Sequence, residues 1–338
     1  VNFLKVTFGF FLPPFSIRGR YDWRTARATA LEAEKLGFDS LWVSDHLIWG
    51  VDGANMEGWT TLCSLAPITK VRLGMGVLCN SYRYPSLLAK MASTLDVISD
   101  GRLDFGIGAG WKRDEYEAYG IPYPRHGERV ERLGEALEIF KRMWTEDAPS
   151  FEGKYYTIKN AICEPKPIQK PHPPIWIGGS KDRIMTLVAK YADVWDVPIG
   201  DPSGGGGGGG ANATAEGMLR AIRVLEQKCK EQGKDPGKIR KSWTPWVCIA
   251  RSESELKKKV EEWLSILRVV PPYSTYPMHK ATFQTARENC IVGTPEECVK
   301  RVQEFVDIGF TNFTLGFADL PSMQMARLFA EEVIPHFR

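Results

Sequence analysis

The chain has 338 residues, 43% of them hydrophobic and 25% charged, proportions ordinary for a globular protein. Its 44 Lys and Arg against 41 Asp and Glu leave a net charge of +3, too small for a nucleic-acid footprint, and Lys257 to Lys259 is the longest basic run. No stretch approaches the roughly 18 consecutive apolar residues of a membrane span, so neither nucleic acid nor membrane is an expected partner. Seven cysteines form no C-x-x-C and no zinc spacing, and Val1 to Lys5 does not open like a secretory signal. Reduced thiols, a cytoplasmic location and no metal are the expectations.

The first apolar run, Val6 to Leu12, is followed by a helix over Trp23 to Leu36, closed by Gly37. Runs at Ser40 to Ser44 and Arg72 to Leu78 precede a helix over Pro85 to Ile98, whose Pro suits a first turn. A fourth run, Arg102 to Ile107, leads into helices at Arg113 to Tyr119 and Glu128 to Trp144. A proline-rich passage ending at Pro174 feeds the fifth run, Ile175 to Ile177. The remaining runs are Val194 to Ile199, Trp243 to Ala250 and Asn312 to Phe317, with helices at Ala215 to Gln232, Glu253 to Leu267 and Met323 to Val333. Seven consecutive glycines at 204–210 read as a flexible loop or a placeholder and carry no chemistry.

Two segments repeat one design. Leu36-Gly37-Phe38 and Ile308-Gly309-Phe310 each place a left-handed glycine cap between a helix and a strand. Eight strand runs alternating with helices predict a single domain over residues 1–338, a closed (β/α)8 barrel, with an open doubly wound sheet as the alternative. Insertions are expected near 145–174 and 269–291.

In such a barrel the chemistry lies where strands end. The second run ends in Ser44-Asp45-His46, and Asp45 next to His46 reads as an acid/base pair in which the carboxylate orients or charges the ring. The third ends near Gly76, Val77 and Cys79, where glycines mark a bulge, a ligand's close approach or merely tight packing. The fourth ends in Gly106-Ile107-Gly108-Ala109-Gly110-Trp111, small residues with room for a planar ring and an indole to wall it, although a structural turn has the same spacing. The fifth ends in Ile177-Gly178-Gly179-Ser180 before a helix opening near Lys181, a setting for a phosphate, or for Ser180 as a plain N-cap.

Taken together, Ser44-Asp45-His46, Tyr82-Arg83-Tyr84-Pro85, Thr94 to Arg102, Gly106 to Trp111 with Glu115, Pro174 to Gly179 and Val292 to Glu297 resemble the luciferase-like flavin and deazaflavin oxidoreductases. The resemblance implies a cofactor at the C-terminal mouth of the barrel, coenzyme F420 in the subgroup that the Gly108 to Trp111 segment is similar to, or FMN. It implies an F420-dependent oxidoreductase that transfers hydride to or from a small organic substrate, with His46, Asp45 and Trp111 as the catalytic group. Asp45, Gly76, Val77, Cys79, Ala109, Gly110, Trp111, Ile177, Gly178, Gly179 and Ser180 would hold the cofactor. A non-prolyl cis peptide would fall at Gly76–Val77, and Asp45 would face the ring edge. An FMN-dependent monooxygenase and a non-catalytic flavin-binding relative are the rival readings, and a homodimer or higher homo-oligomer is expected by analogy. Sugar-phosphate-oxidising members carry Glu where Trp111 stands, so an apolar pocket walled by Trp49 and Trp111 is expected instead. The 269–291 insertion reads as a lid or a surface loop.

Overall fold

The computed structural model describes residues 5–12, 22–50, 52–198, 214–271 and 277–338. The glycine run at 204–210 and residues 272–276 of the second insertion lie outside them.

Apolar, β-branched and aromatic runs give strands β1 (Thr7–Phe11), β2 (Ser40–Val43), β3 (Arg72–Met75), β4 (Leu78–Cys79) and β5 (Leu103–Gly108). Beyond them come β6 (Phe151–Glu152), β7 (Thr157–Ile158), β8 (Ile175–Gly178), β9 (Val194–Val197), β10 (Arg240–Trp243), β11 (Trp246–Ile249), β12 (Ile291–Gly293) and β13 (Phe310–Phe317). The order β1-β2-β3-β5-β8-β9-β10-β13 is parallel throughout and closes through β1 and β13, with Thr7 opposite Asn312. The fold is therefore an eight-stranded (β/α) barrel, and the open-sheet alternative falls away.

The helices are α1 (Trp23–Lys35), α2 (Gly58–Leu65), α3 (Pro85–Ile98), α4 (Arg113–Ala118), α5 (His126–Thr145) and α6 (Asp182–Tyr191). They continue with α7 (Ala215–Glu231), α8 (Glu253–Leu267), α9 (Phe283–Asn289), α10 (Pro295–Asp307) and α11 (Gln324–Glu332). Gly37 and Gly309 take the expected left-handed caps, at φ +88° and +94°. No helix among the described residues is long and apolar enough to cross a membrane.

Alternation along each strand sends one set of side chains to the helices and the other into the barrel. Phe8, Phe10, Phe313 and Phe317 belong to the outer set, and Phe8 stacks on Phe313 at 5.7 Å between ring centroids. Phe11, Trp42, Trp176 and Val194 fill the barrel itself, with the two indoles 4.4 Å apart. Gly74 is required there, because any side chain on it would run into the Trp42 indole. Beneath this plug, Arg72 grips Asp104 through Nε at 2.8 Å and Nη2 at 2.7 Å, and Trp176 Nε1 donates to the same carboxylate at 3.2 Å.

The expected seventh run, Trp243 to Ala250, divides at Pro245, which has no N–H to give a ladder. The barrel strand is β10, which ends at Trp243. β11 runs beyond it, pairing with the far end of β13 and with β12, a strand the periodicity did not show. The first insertion holds the β6–β7 hairpin, whose tip donates the N–H groups of Lys154, Tyr155 and Tyr156 to the Glu135 carboxylate of α5 at 2.8–3.0 Å. The second carries α9, opened by a capping box between Thr282 and Thr285.

Candidate active site

Strand β2 delivers Asp45 and His46 to the mouth in an extended stretch, where neighbouring side chains point opposite ways. Asp45 turns inward and is wholly buried. It accepts from Arg83 Nη1 at 2.8 Å, Arg83 Nη2 at 2.9 Å and the Cys79 N–H at 2.8 Å. Arg83 also grips Glu57 at the start of α2. The carboxylate that holds His46 is therefore not Asp45, as the adjacent pair suggested, but Glu115 of α4.

Glu115 is fully buried. Its Oε2 meets His46 Nδ1 at 3.0 Å and accepts from Tyr82 Oη at 2.8 Å, while Oε1 accepts the N–H groups of Leu47 and Ile48 at 2.8 and 2.9 Å. Burial alone would raise this carboxyl, but the hydrogen bond and charge of His46, with the Ile48 N–H and Tyr82, hold it below the ordinary carboxylate range. An ionised Glu115 can only accept, so His46 Nδ1 is the donor to it, and in the neutral ring Nε2 is the lone-pair nitrogen. Burial, with Glu115 among the charges beside it, pushes the Tyr82 phenol up, so Tyr82 stays a donor. Trp49 lies 4.1 Å and Trp111 5.5 Å from the His46 ring, forming an aromatic box. The main-chain N–H of Gly50 donates to Pro271 O at 3.2 Å, tying this loop to the second insertion.

Opposite them across β3, the Gly76–Val77 peptide is cis. Gly74 pairs with Asp104 and Leu78 with Ile107, so the three residues between them on one side face two on the other, a one-residue bulge. Gly76 and Val77 are half-buried within an otherwise buried run. A side chain on Gly106 would strike the Met75 carbonyl, so the bulge dictates that glycine. Gly108 and Gly178 leave space around Val77, whose Cγ atoms lie 3.0 and 3.2 Å from where their side chains would start. Half-exposed Val77 between two glycines makes a flat shelf that fits a planar ring. Ala109 and Gly110 continue it, and Gly110, at φ +76°, lies against Tyr116 Oη and Cys79 Sγ. Cys79 Sγ meets Tyr116 Oη at 2.9 Å, and burial pushes the thiol up to about 12, leaving it an unreactive filler of the shelf's edge.

On β8, Ile177 is buried and Gly178 half-buried. The Gly179 N–H, expected to be free for an anion, donates to Asp196 O at 3.1 Å, and Gly179 O accepts from Trp195 Nε1 at 2.8 Å. Ser180 precedes the helix without capping it. Lys181 is the N-cap and makes no side-chain cap bond, so the N–H groups of Asp182, Arg183 and Ile184 have no intrahelical acceptor. The anion-receptive groups thus stand one step further along the chain than the glycines.

Sequence reading also missed Asp196. It pairs in register with Gly178 and Ser242, which sets its side chain inside the barrel. It is 5% exposed, and its Oδ1 accepts from Thr244 Oγ1 at 3.3 Å, with no cation bonded to it among the described residues. Burial raises its carboxyl to about 6, against a smaller pull from Ser242 and Thr244. Its only sequence signal was a charge within an apolar run.

A family model described as luciferase-like monooxygenase matches residues 6–312. An F420-dependent glucose-6-phosphate dehydrogenase of Microbacterium testaceum is 29% identical over 90% of this chain and 91% of its own length. An FMNH2-dependent dimethylsulfone monooxygenase of Pseudomonas putida is 30% identical over 99% of this chain and 93% of its own. Among solved structures, an F420-dependent secondary alcohol dehydrogenase in complex with an F420–acetone adduct superposes with a TM-score of 0.80 at 25% identity, covering 99% of both chains.

Proposed function

This chain belongs to the luciferase-like monooxygenase family, and we propose that within it the protein is an F420-dependent oxidoreductase acting on a small organic alcohol or carbonyl compound. What supports the reading is one juxtaposition: a His46 ring held by buried Glu115 just past the end of β2, and a glycine-bordered shelf at Gly76–Val77 just past the end of the neighbouring β3. The shelf, with Ala109, Gly110 and Trp111, would hold the ring system. The start of α6, beyond Ile177 to Ser180, would take the phosphate. Asp45, buried beneath the mouth, would act through Arg83 and the Cys79 N–H, fixing the shelf from below.

When bound, F420 supplies a ring carbon that accepts or gives up a hydride. The chain's own part is the proton. As a hydride leaves a carbinol carbon, the hydroxyl proton passes to His46 Nε2, and in carbonyl reduction it returns from there. Glu115 keeps the ring oriented and stabilises the imidazolium that forms. Trp49 and Trp111 exclude water from the ring's two flanks.

The second reading, FMN-dependent oxygenation, is favoured by the 30% identity with the sulfone monooxygenase over nearly the whole chain. Paired titrations with F420 and FMN, followed by absorbance and fluorescence, separate the two. Tight F420 binding with weak FMN binding is expected, whereas FMN preference with oxygen uptake on reduction would reverse the assignment. We further propose a cytoplasmic homo-oligomer with the 269–291 segment as a lid; analytical ultracentrifugation showing only monomer would overturn the oligomer.

A further inference from the structure

Across the mouth from His46 stands a carboxyl that the proton chemistry does not use. In the ring of eight strands, β9 is four steps from β2 in either direction, so Asp196 and His46 come from opposite walls. Val194, one inward step below Asp196 on β9, belongs to the plug. On β8 the same step leads from Trp176 of the plug to Gly178, which pairs in register with Asp196 and borders Val77. Asp196 therefore stands just above the plug and beside the shelf.

Its partners are few and uncharged. Oδ1 accepts from Thr244 Oγ1, and Oδ2 accepts no hydrogen bond among the described residues. Ser242 Oγ is fully buried and close enough to pull on the carboxyl, yet it has no hydrogen-bond partner among the described residues. The residues in register on either side, Gly178 and Ser242, carry no charge. Arg240, two residues before Ser242, is exposed and lies over the Trp176 ring at 5.9 Å. Burial and the two hydroxyls account for the shift of Asp196, with no charged neighbour contributing. By contrast Asp45 and Asp104, buried on the other strands, each hold an arginine. A buried carboxylate with no cation is destabilising in itself, so structure alone gives this chain no gain from keeping one there.

Such a group attracts donors and positive charge and repels anions. We propose that Asp196 is the second contact for the substrate, a subsite for a protonated amine at the end away from the carbon that reacts beside His46. The proposal rests on the reading of an oxidoreductase for small alcohols or carbonyl compounds, and it names their class as amino alcohols and amino ketones. The substrate lies across the mouth, its reacting end at the β2 wall and its ammonium at the β9 wall. Sugar phosphates and other anionic alcohols are turned away by the same carboxylate. An ammonium keeps its proton to well above neutral pH, whereas Asp196 loses its own near 6, so the pair forms as pH rises through that value.

The test offers the full chain secondary alcohols ending in methyl, hydroxyl, ammonium or carboxylate, with one to five carbons between the carbinol and the end group. F420 reduction gives kcat/KM for each. Tryptophan fluorescence follows binding of the same compounds with F420, with FMN and with neither. At the best length and about pH 7.5, the ammonium compound should exceed its methyl analogue about 10- to 100-fold, as a hydrogen bond between charged groups would give. The carboxylate should be the poorest, and the ammonium advantage should fade below about pH 6. Asp196→Asn should close the gap between ammonium and methyl compounds, with a cooperative urea melt showing that the variant has folded. If it does not fold, the pH dependence of the wild-type gap decides. No advantage for ammonium over methyl or hydroxyl, or an advantage that survives in the variant or below about pH 6, would overturn the amine subsite and leave the F420 reading standing. Amine binding that depends on Asp196, with no alcohol reducing F420, would overturn the F420 reading and leave the subsite. Neither binding nor turnover would overturn both.

Discussion

The two walls of the barrel mouth hold their carboxylates in opposite ways. On the β2–β5 wall, Asp45 and Glu115 are buried against a two-pronged Arg83, a hydrogen-bonded His46 and main-chain N–H groups, and Glu115 is held below the ordinary carboxylate range. On the β9–β10 wall, Asp196 is almost as buried but has hydroxyls for company, and burial raises its carboxyl to about 6. Two buried carboxyls a few strands apart, Glu115 and Asp196, are thus shifted in opposite directions. Burial alone does not decide charge; partners do.

The largest effect should come from removing the group that changes state on the charged wall. His46→Ala should cut turnover about 10^3-fold while the cofactor affinity stays within a factor of two, read by steady-state kinetics beside a fluorescence titration. Retained turnover would end the assignment of Nε2 as the proton carrier. Next comes the support. Arg83→Leu strands Asp45 as a buried charge and should lower unfolding stability by about 3–4 kcal/mol in urea melts. A loss below about 1 kcal/mol would mean that Asp45 finds another partner or takes up a proton.

The two walls should also respond to pH with opposite sign. Glu115 titrates lower in the folded chain than in the unfolded one, so its contribution is present above the unfolded pKa of 4.5 and is lost as pH falls through the folded value. Asp196 titrates higher, near 6 against 3.8 unfolded, so the folded chain holds its proton longer and stability falls as pH rises between those values. The drop is about 3 kcal/mol at most and levels off above the folded pKa. Asp196→Asn should abolish it in melts taken at successive pH values; an unchanged slope would show that another group produces it. The smallest effect is expected at Cys79, where Cys79→Ala should cost less than about 1.5 kcal/mol and leave iodoacetamide labelling of the folded protein unchanged.

Most of the barrel was legible in the chain because its strands are short apolar runs closed by glycine or proline. The seventh was displaced because Trp243 to Ala250 reads as one apolar stretch unless Pro245 is taken as a break. The site was legible in part. Asp45 and His46 announce themselves by adjacency, and adjacency misled, since neighbours in an extended stretch cannot share a face. Glu115, the true partner of His46, is 69 residues away and reaches it only because β2, β3 and β5 lie side by side in the sheet. The cis peptide at Gly76–Val77 followed from resemblance, and no residue type there would have dictated it. Gly106 was read as room for a ring, whereas the Met75 carbonyl already requires it.

The plug of Phe11, Trp42, Trp176 and Val194 carries one more consequence. Among the described residues it fills the barrel's interior below the shelf. Whatever rests on Val77 must come in by the rim and is then covered by whatever follows it. On the proposed reading, the cofactor and substrate would form a last-in, first-out stack, so steady-state kinetics should be ordered: cofactor first on, product first off, and the spent cofactor released only once the space above it has emptied.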